Sequence, residues 1–507
     1  METFTNQLSG IRVVTAIVAY FITLVLYRLF FHPLARFPGP RLAAISRWYE
    51  AYYDVVQNGQ YTFKIKEMHR KYGPIVRISP HELHIHDADF YDKLYCQDGR
   101  WNKYSWAVDA FANYGAGITT ADHDLHRIRR QPLNHFFSKA RVASRQGIIR
   151  KHLDTFIDRL TKLAGSKVDL GAATTAFSRD LAIDFITGKT YGSLEKEDFD
   201  VSMLRASQGS GSLWRISKHV RWFAPLFKSI PPTWAMKIAD NDTKMLFGFF
   251  LRMQQDTQDL IAAESQAGAD LDGERPPNLV HQIIHSQLPP SEKTFGRVFD
   301  EVATVSGAGF ETTASALRLI FFHLFSNRGI LNRLRAEIAS ARAQSQNEIG
   351  LKELELLPYL TSIIMEGLRL SPGVASRLAR VSPDKDLHYQ GWRIPAGTPV
   401  GMTTILLHTD EKLYPEPRQF KPDRWMNGQK RAQKLFAPFS RGTRICLGMH
   451  LAWAELYLAV ATLAERFDFQ FEGATAEDFE CSSDQFAVGT ESLGFLKATV
   501  SLSTESR

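Results

Sequence analysis

The sequence predicts a mainly helical chain with a smaller β-rich part, preceded by one apolar helix. Three observations carry this expectation. Helical periodicity dominates from Val142 to Gln287, runs from Ser291 to about Asn327, and returns after Cys446, where Leu451, Ala454, Leu458 and Ala461 recur at core-facing spacing. Strand-like runs are short: Tyr72–Ile78 and Glu82–His86 around a Ser79-Pro80 turn, then Leu387–Thr404, then a C-terminal stretch with Gly489 and Gly494 that reads as a β-hairpin. The third is an uncharged apolar segment from Val13 to Tyr27.

Length alone would suggest about three domains. No long Ser/Gly/Pro-rich linker divides the 507 residues, however, and 44% hydrophobic content with 34 Phe can fill one large core. Residues 1–32 therefore read as an anchor, 33–40 as a proline-rich hinge and 41–507 as one body. Three cysteines, Cys96, Cys446 and Cys481, make neither a disulfide framework nor a zinc spacing, which fits a reducing compartment. The net charge of +7 is modest, and no basic cluster is interleaved with aromatics, so an acidic protein partner or a membrane surface is expected rather than nucleic acid.

Taken in order, the apolar run continues past Arg28 through Leu29-Phe30-Phe31, close to the ~20 residues a membrane span requires. Arg28 is placed to snorkel at one interface. Arg28, Arg36, Arg41 and Arg47 follow the segment and only Arg12 precedes it, which puts the body in the cytoplasm. Pro33 and Pro38-Gly39-Pro40 then break the helix and stiffen the spacer. His81, His84 and His86 lie around the two early strands. Without a further ligand they read as solvated strand histidines. Trp101–Thr120, rich in Gly, Ala, Asn and aromatics, reads as a flexible substrate-facing loop. Asp122-His123-Asp124 opens a basic helix on which His126 and Arg130, four apart, share a face. Ser229–Pro232 and Asp272–Pro277 are breaks in the helical middle.

The helix from a Ser291 cap carries Gly307-Ala308-Gly309-Phe310-Glu311-Thr312-Thr313 at its centre. Two glycines so close weaken a helix interior, so a local opening of the hydrogen-bond ladder is expected. Ala308 and Thr312 share a face, with Glu311 adjacent. Pro358 starts a further helix that Ser371-Pro372-Gly373 ends. Within it Glu366 and Arg369 are three apart on one face.

Last comes Phe439-Ser440-Arg441-Gly442-Thr443-Arg444-Ile445-Cys446-Leu447-Gly448. Cys446 stands just before a helix, where free N–H groups and the dipole favour negative charge, and Arg441 and Arg444 add positive potential. Gly442 and Gly448 let a large flat ligand approach the backbone.

This run resembles the cysteine loop of the cytochrome P-450 haem-thiolate monooxygenases, Phe-x-x-Gly-x-Arg-x-Cys-x-Gly, at all five fixed positions: Phe439, Gly442, Arg444, Cys446 and Gly448. The resemblance implies Cys446 as the axial thiolate of haem iron, pushing electron density toward O–O cleavage. Ala308–Thr313 matches the family's Ala/Gly-Gly-x-Asp/Glu-Thr-Thr/Ser, which implies Thr312 and Glu311 as the alcohol and acid that supply protons while O2 is reduced. Ala308 would lie beside the haem. Glu366, Arg369 and Arg424 of Phe420–Trp425 match a buried Glu-x-x-Arg…Arg network that secures the segment before the cysteine loop. Arg130, His126 (where the family commonly has Trp) and Arg380 are implied at the haem propionates, Arg444, Phe439 and Gly448 as further cofactor-binding residues, and Val374-Ala375 at the substrate pocket.

By the same resemblance, Arg127, Arg129, Lys430, Arg431 and Lys434 would dock an acidic reductase. The implied architecture is a mainly helical prism with a small β-rich lobe behind an endoplasmic-reticulum anchor. The body, 41–507, would be a haem-thiolate catalytic domain using haem b, O2, and electrons from NADPH through cytochrome P-450 reductase, with cytochrome b5 as a further donor. His-Arg-Ile-Arg-Arg followed by Phe136-Phe137-Ser138 is most similar to fungal secondary-metabolism members such as trichodiene oxygenase, implying a terpenoid or polyketide-derived lipophilic substrate. A haem-thiolate isomerase or dehydratase needing no external electrons, and a non-catalytic haem-binding protein, are the alternatives; Glu311-Thr312 argues against the first.

Overall fold

In the computed structural model, residues 2–503 are described apart from 231–233, 235, 238, 268–277, 346–348, 427 and 429. The expected breaks at Pro231-Pro232 and Asp272–Pro277 lie outside the described residues. The helices that matter below are α1 (Glu2–Leu26), α2 (His123–Phe136), α3 (Leu170–Thr187), α4 (Val201–His219), α5 (Asn241–Ala267), α6 (Leu279–Ile284), α7 (Phe295–Ser326), α8 (Pro358–Leu370) and α9 (Met449–Arg466). The strands are β1 (Ile75–Ser79), β2 (Glu82–Ile85), β3 (Asn102–Lys103), β4 (Lys167–Asp169), β5 (Arg380–Val381), β6 (Leu387–Tyr389), β7 (Trp392–Ile394), β8 (Pro399–Gly401), β9 (Phe467–Phe471), β10 (Ser483–Gln485), β11 (Ala487–Gly489) and β12 (Lys497–Leu502). The fold is mainly α with small sheets.

The largest core is helical. Every residue of α3 is buried, and α3 packs along α7, the long central helix. They pack tightly at Gly309, where a Cβ would stand 3.2 Å from that of Ala182. Gly367 of α8 serves the same purpose: a Cβ there would lie 2.2 Å from Ile320 Cγ1 of α7. Leu451, Ala454, Leu458 and Ala461 of α9 are all buried in this core. The largest sheet has the order β1-β2-β8-β5-β3, with β2 and β8 parallel and the other pairs antiparallel; β4-β12-β9 forms a second. The C-terminal hairpin is β10–β11, turning at Phe486; Gly494 instead lies against Gly171 of α3.

α1 continues into a π-turn at Tyr27–Phe31, and Ile11–Phe31, with mean hydropathy 2.1, has none of its length buried. This apolar helix is long enough to cross a bilayer. Arg28 does not reach outward as expected: its guanidinium donates to the Ile45 carbonyl at 2.5 Å, and its own carbonyl accepts from Arg77. The end of this apolar helix is thereby tied to the body.

Several expectations are corrected by packing that spacing cannot reveal. α7 starts at a Thr294 cap, not Ser291, because Pro290–Glu292 forms a separate 3-10 turn. It is unbroken α-helix through Gly307–Thr312, so the expected opening of its ladder is not present. Of the strand histidines, His84 is fully buried between His69 (2.7 Å) and Thr403 (2.9 Å), and half-buried His86 meets Asp410 at 3.2 Å. Both faces of β2 are covered, which alternation alone does not disclose. The Trp101–Thr120 stretch is pinned: the Gly115 and Gly117 N–H groups donate to Asp300 and Glu301 of α7, each at 2.9 Å, and Asn113 donates to Thr304.

A buried ion cluster that the sequence did not announce joins the end of α4 to the N-terminal segment and the large sheet. Lys218 Nζ is 3.0 Å from Glu50 and 2.5 Å from Asp54, while Arg377 reaches Glu50 at 2.8 Å and Glu82 at 2.7 Å.

One buried acid fixes a pH response. Glu455 of α9 is 1% exposed, and among the described residues the Ser178 hydroxyl, which donates to it, is its hydrogen-bond partner. Burial pushes its pKa up to about 8. Between the ordinary carboxylate range and about 8, the folded chain therefore holds a proton that the unfolded chain has released, so this group's contribution to stability is complete at low pH and is lost as pH rises. Glu455→Gln is expected to flatten that decline and to raise stability at pH 8 by a few kcal/mol. Denaturant unfolding of both proteins at pH 5 and pH 8 checks it; parallel pH profiles would contradict it.

Candidate functional site

The cysteine loop enters from the 3-10 turn Gly442–Arg444 and leaves into α9. The Cys446 N–H donates to the Phe439 carbonyl at 2.9 Å, folding the loop back so that the thiol, exposed at its tip, stands before the helix. Phe439 packs against Trp453 of α9, with centroids 6.0 Å apart. Although the sulfur itself is accessible, the dense protein around it pushes the Cys446 thiol up, while the Gly448 and Met449 N–H groups and the Arg130 guanidinium favour the thiolate.

The expected roles of the two loop arginines change. Arg441 pairs with Asp92 at 2.5 Å, and buried Arg444 donates to the carbonyls of Thr120 (2.7 Å), Ala121 (2.8 Å), Asp122 (3.1 Å) and Trp101 (3.3 Å). The cation that acts on the sulfur is Arg130, from α2. The two glycines also part ways. Gly442, at φ +74°, is demanded by packing, since a Cβ would sit 2.4 Å from the Cys96 carbonyl oxygen. A Cβ on Gly448 would meet nothing within 4 Å, so only this glycine leaves the backbone open to a flat ligand.

Four cationic side chains converge beside the loop. Arg130, Arg380 and Arg444 repel one another and Lys103 strongly enough that burial and mutual repulsion push Lys103 well below its ordinary range and Arg444 down to about 9. His126 is buried in the same group, pushed down to about 2 by burial first and then by Arg444, and is neutral. Arg380 is fully enclosed, its guanidinium 5.0 Å above the Tyr95 ring, and Arg444 Nε is buried without a partner. Asp122 is the one carboxylate that raises Arg444. Crowded, partly desolvated cations lacking counter-charge are costly unless an anion completes them. The carboxylates of a haem fit that need, and the thiol and open Gly448 fit its iron and face. Lys103, on the two-residue strand β3, was missed in the sequence because a lone lysine in an aperiodic stretch carries no signal.

On α7, Gly307 and Ala308 are exposed although the helix on either side is buried, and a Cβ on Gly307 would meet nothing within 4 Å. One turn on, the Thr312 hydroxyl donates to the Ala308 carbonyl at 3.0 Å. Glu311 is half-buried rather than a surface acid. Its Oε1 accepts from Arg318 at 2.6 Å and from Gln208 of α4 at 2.9 Å, while its Oε2 is buried with no partner. Gly373, at φ +75°, brings the next segment over Thr312: a Cβ there would be 3.2 Å from Thr312 Cβ. Val374 bridges Ala487, and the Ala375 N–H donates to the Phe486 carbonyl at 3.0 Å. Phe486 completes an aromatic trio with Phe111 (4.8 Å) and Trp214 of α4 (5.4 Å). These three come from distant parts of the chain, and no local pattern joins them.

Glu366, Arg369 and Arg424, which the resemblance implied as one network, meet in the interior. Glu366 Oε1 accepts from Arg369 at 2.8 Å and Arg424 at 3.0 Å, and Oε2 accepts from Arg369 at 2.9 Å and Trp425 Nε1 at 3.0 Å. Arg369 in turn holds the His408 and Pro417 carbonyls. Of the expected docking cations, Arg129 is committed to Glu292 (2.7 Å), Arg431 meets Asp89 at 3.2 Å, and Arg127 and Lys430 are exposed.

The comparisons agree with this geometry. The cytochrome P-450 family model matches residues 48–496. The tryptophan 6-hydroxylase of Fusarium equiseti is 37% identical, over 94% of this chain and 94% of that one. A cytochrome P-450 monooxygenase of Sordaria araneosa is 36% identical over 92% and 93%. The N-acetyltryptophan 6-hydroxylase of Emericella nidulans is 37% identical over 92% of each. Among solved structures, retinoic acid-bound cyanobacterial CYP120A1 superposes with a TM-score of 0.64 at 19% identity, covering 86% of this chain and 94% of that one, a likeness of fold alone. A cysteine before α9, cations without counter-charge beside it and a family model spanning almost the whole body lead to one conclusion: the chain belongs to the cytochrome P-450 family.

Proposed function

We propose that this protein is a monooxygenase that inserts one atom of O2 into a lipophilic secondary metabolite of terpenoid or polyketide origin, drawing electrons from NADPH through cytochrome P-450 reductase, with cytochrome b5 as a further donor. The observation that carries this reading is the joint presence of the Cys446 loop and the Glu311-Thr312 pair. A haem-thiolate isomerase needs the first but not the second.

Haem b held by Cys446 supplies the activation of O2. Arg130, His126, Arg380, Arg444 and Lys103 would hold its carboxylates. Gly448 keeps the backbone clear on the thiolate side, and Phe439 braces the loop. On the opposite side Ala308 and Gly307 leave room. The Thr312 hydroxyl, already bonded to the Ala308 carbonyl, is placed to pass a proton, and the unpartnered Oε2 of Glu311 is placed to replenish it. Arg318 and Gln208 fix that carboxylate through its other oxygen. Val374, Ala375 and the Phe111–Trp214–Phe486 trio present an apolar, aromatic surface to substrate.

Residues 1–32 act as a single-pass anchor in the endoplasmic reticulum, 33–40 as the hinge, and 41–507 as the catalytic domain facing the cytoplasm. Exposed Arg127, Lys430, Arg431 and Lys434 remain for reductase docking. Sealed microsomes containing the chain and its reductase test location and activity together. Oxygenated product should form only with NADPH added outside and should cease after external proteolysis. Product formation without NADPH would overturn the monooxygenase reading.

The aromatic trio favours a second reading, a planar aromatic substrate. Two relatives at 37% identity bear names of tryptophan and N-acetyltryptophan hydroxylases. Incubating the same microsomes with indoles and with terpenes separates the two.

A further inference from the structure

Away from the haem site, α5 and α6 bring two histidines and a glutamate together. His281 Nδ1 and His285 Nε2 stand 2.8 Å and 2.9 Å from the same carboxylate oxygen, Oε2 of Glu264. The histidines are four apart on one helical face, with ring centroids 4.5 Å apart. All three ligand atoms lie within 4.8 Å of one another, and all remain accessible, at 33%, 40% and 16% exposure.

The cluster Glu50, Asp54 and His219 passes the same test of proximity, but there the Lys218 ammonium already occupies the centre. Around Glu264, among the described residues, no lysine or arginine pairs with the carboxylate. We propose that Glu264, His281 and His285 form a binding site for a borderline divalent metal of the zinc class, with water as the fourth ligand. Two imidazoles and one carboxylate are a donor set that zinc favours. Ligand atoms about 2.0–2.1 Å from zinc in a tetrahedron stand roughly 3.3 Å apart, so each imidazole nitrogen needs to move only about half an ångström from the carboxylate oxygen. Either imidazole nitrogen can turn a lone pair toward the metal when neutral.

The metal would tie together Glu264 and His281, 17 positions apart in the chain. It would also fix the end of α5, the helix that packs on α4, which carries Trp214 and Gln208 over the catalytic side of α7.

The test uses the full-length, haem-loaded protein with tags removed, dialysed against micromolar zinc chloride. Zinc and iron are counted together by atomic emission, so iron reports the folded fraction. One zinc per iron is expected, with affinity falling at least tenfold in the double variant His281→Ala/His285→Ala and in Glu264→Gln at unchanged iron content. If the double variant loses iron, His285→Ala alone, at the exposed helix end, serves in its place. Wild-type protein without zinc, or variants that bind it as tightly, would overturn the site.

Discussion

Glu366→Ala, or Arg369→Ala, is expected to yield a chain that accumulates without haem. Glu366 is wholly buried and shared by Arg369, Arg424 and Trp425, and the Lys421 N–H also donates to it at 2.9 Å. Removing the carboxylate strands two guanidiniums in the interior, a loss of about 3–5 kcal/mol, which is a large part of the stability of an ordinary domain. The damage falls on the chain just before the cysteine loop, because Arg369 is also what holds the His408, Pro417 and Gln419 carbonyls in place. Haem-to-protein ratio in the purified variant is the readout. A normal ratio would show that the loop holds its shape without the network.

The second large effect concerns proton supply. Thr312→Ala removes the hydroxyl that bonds to Ala308, while Gly373 and the rest of the pocket wall remain. Product formation is expected to fall about 10²-fold, with NADPH oxidation continuing and reduced oxygen released instead. Thr312→Ser should restore most of the coupling, because it keeps the hydroxyl and loses only a methyl. An unchanged ratio of product to NADPH in Thr312→Ala would remove Thr312 from the mechanism.

How much of this was legible in the sequence depended on whether a feature is local. The helix patterns, the Glu366–Arg369 spacing and the Cys446 loop are encoded by residues a few positions apart, and each formed where it was read. Most of what failed was set by a neighbour distant in sequence. Position in the sequence puts Arg444 beside the cysteine as a charge, but the carbonyls of Thr120–Asp122 claim it, and Arg130 acts on the sulfur instead. Gly442 was taken as clearance for a ligand, yet it is clearance for Cys96. Arg129 was offered to a partner, yet Glu292 holds it. His84 looked solvated because one strand does not show what covers its second face.

The glycines of α7 make the same point in one turn of helix. Gly309 is small because Ala182 presses on it, whereas Gly307 is small beside open space. The sequence Gly-Ala-Gly announces both and distinguishes neither. The aromatic trio, Lys103 and the Glu264–His281–His285 cluster likewise exist only once the chain is folded.

The claim on which the rest depends is that Cys446, as a thiolate, is the axial ligand of the haem. The most direct measurement is the absorption spectrum of the dithionite-reduced protein under carbon monoxide, wild type beside Cys446→Ala and Cys446→His. Wild type is expected to give the long-wavelength Soret band that a trans thiolate imposes, and both variants to lack it. A wild-type band at the position typical of histidine ligation, or a thiolate-type band that survives in Cys446→Ala, would contradict the account.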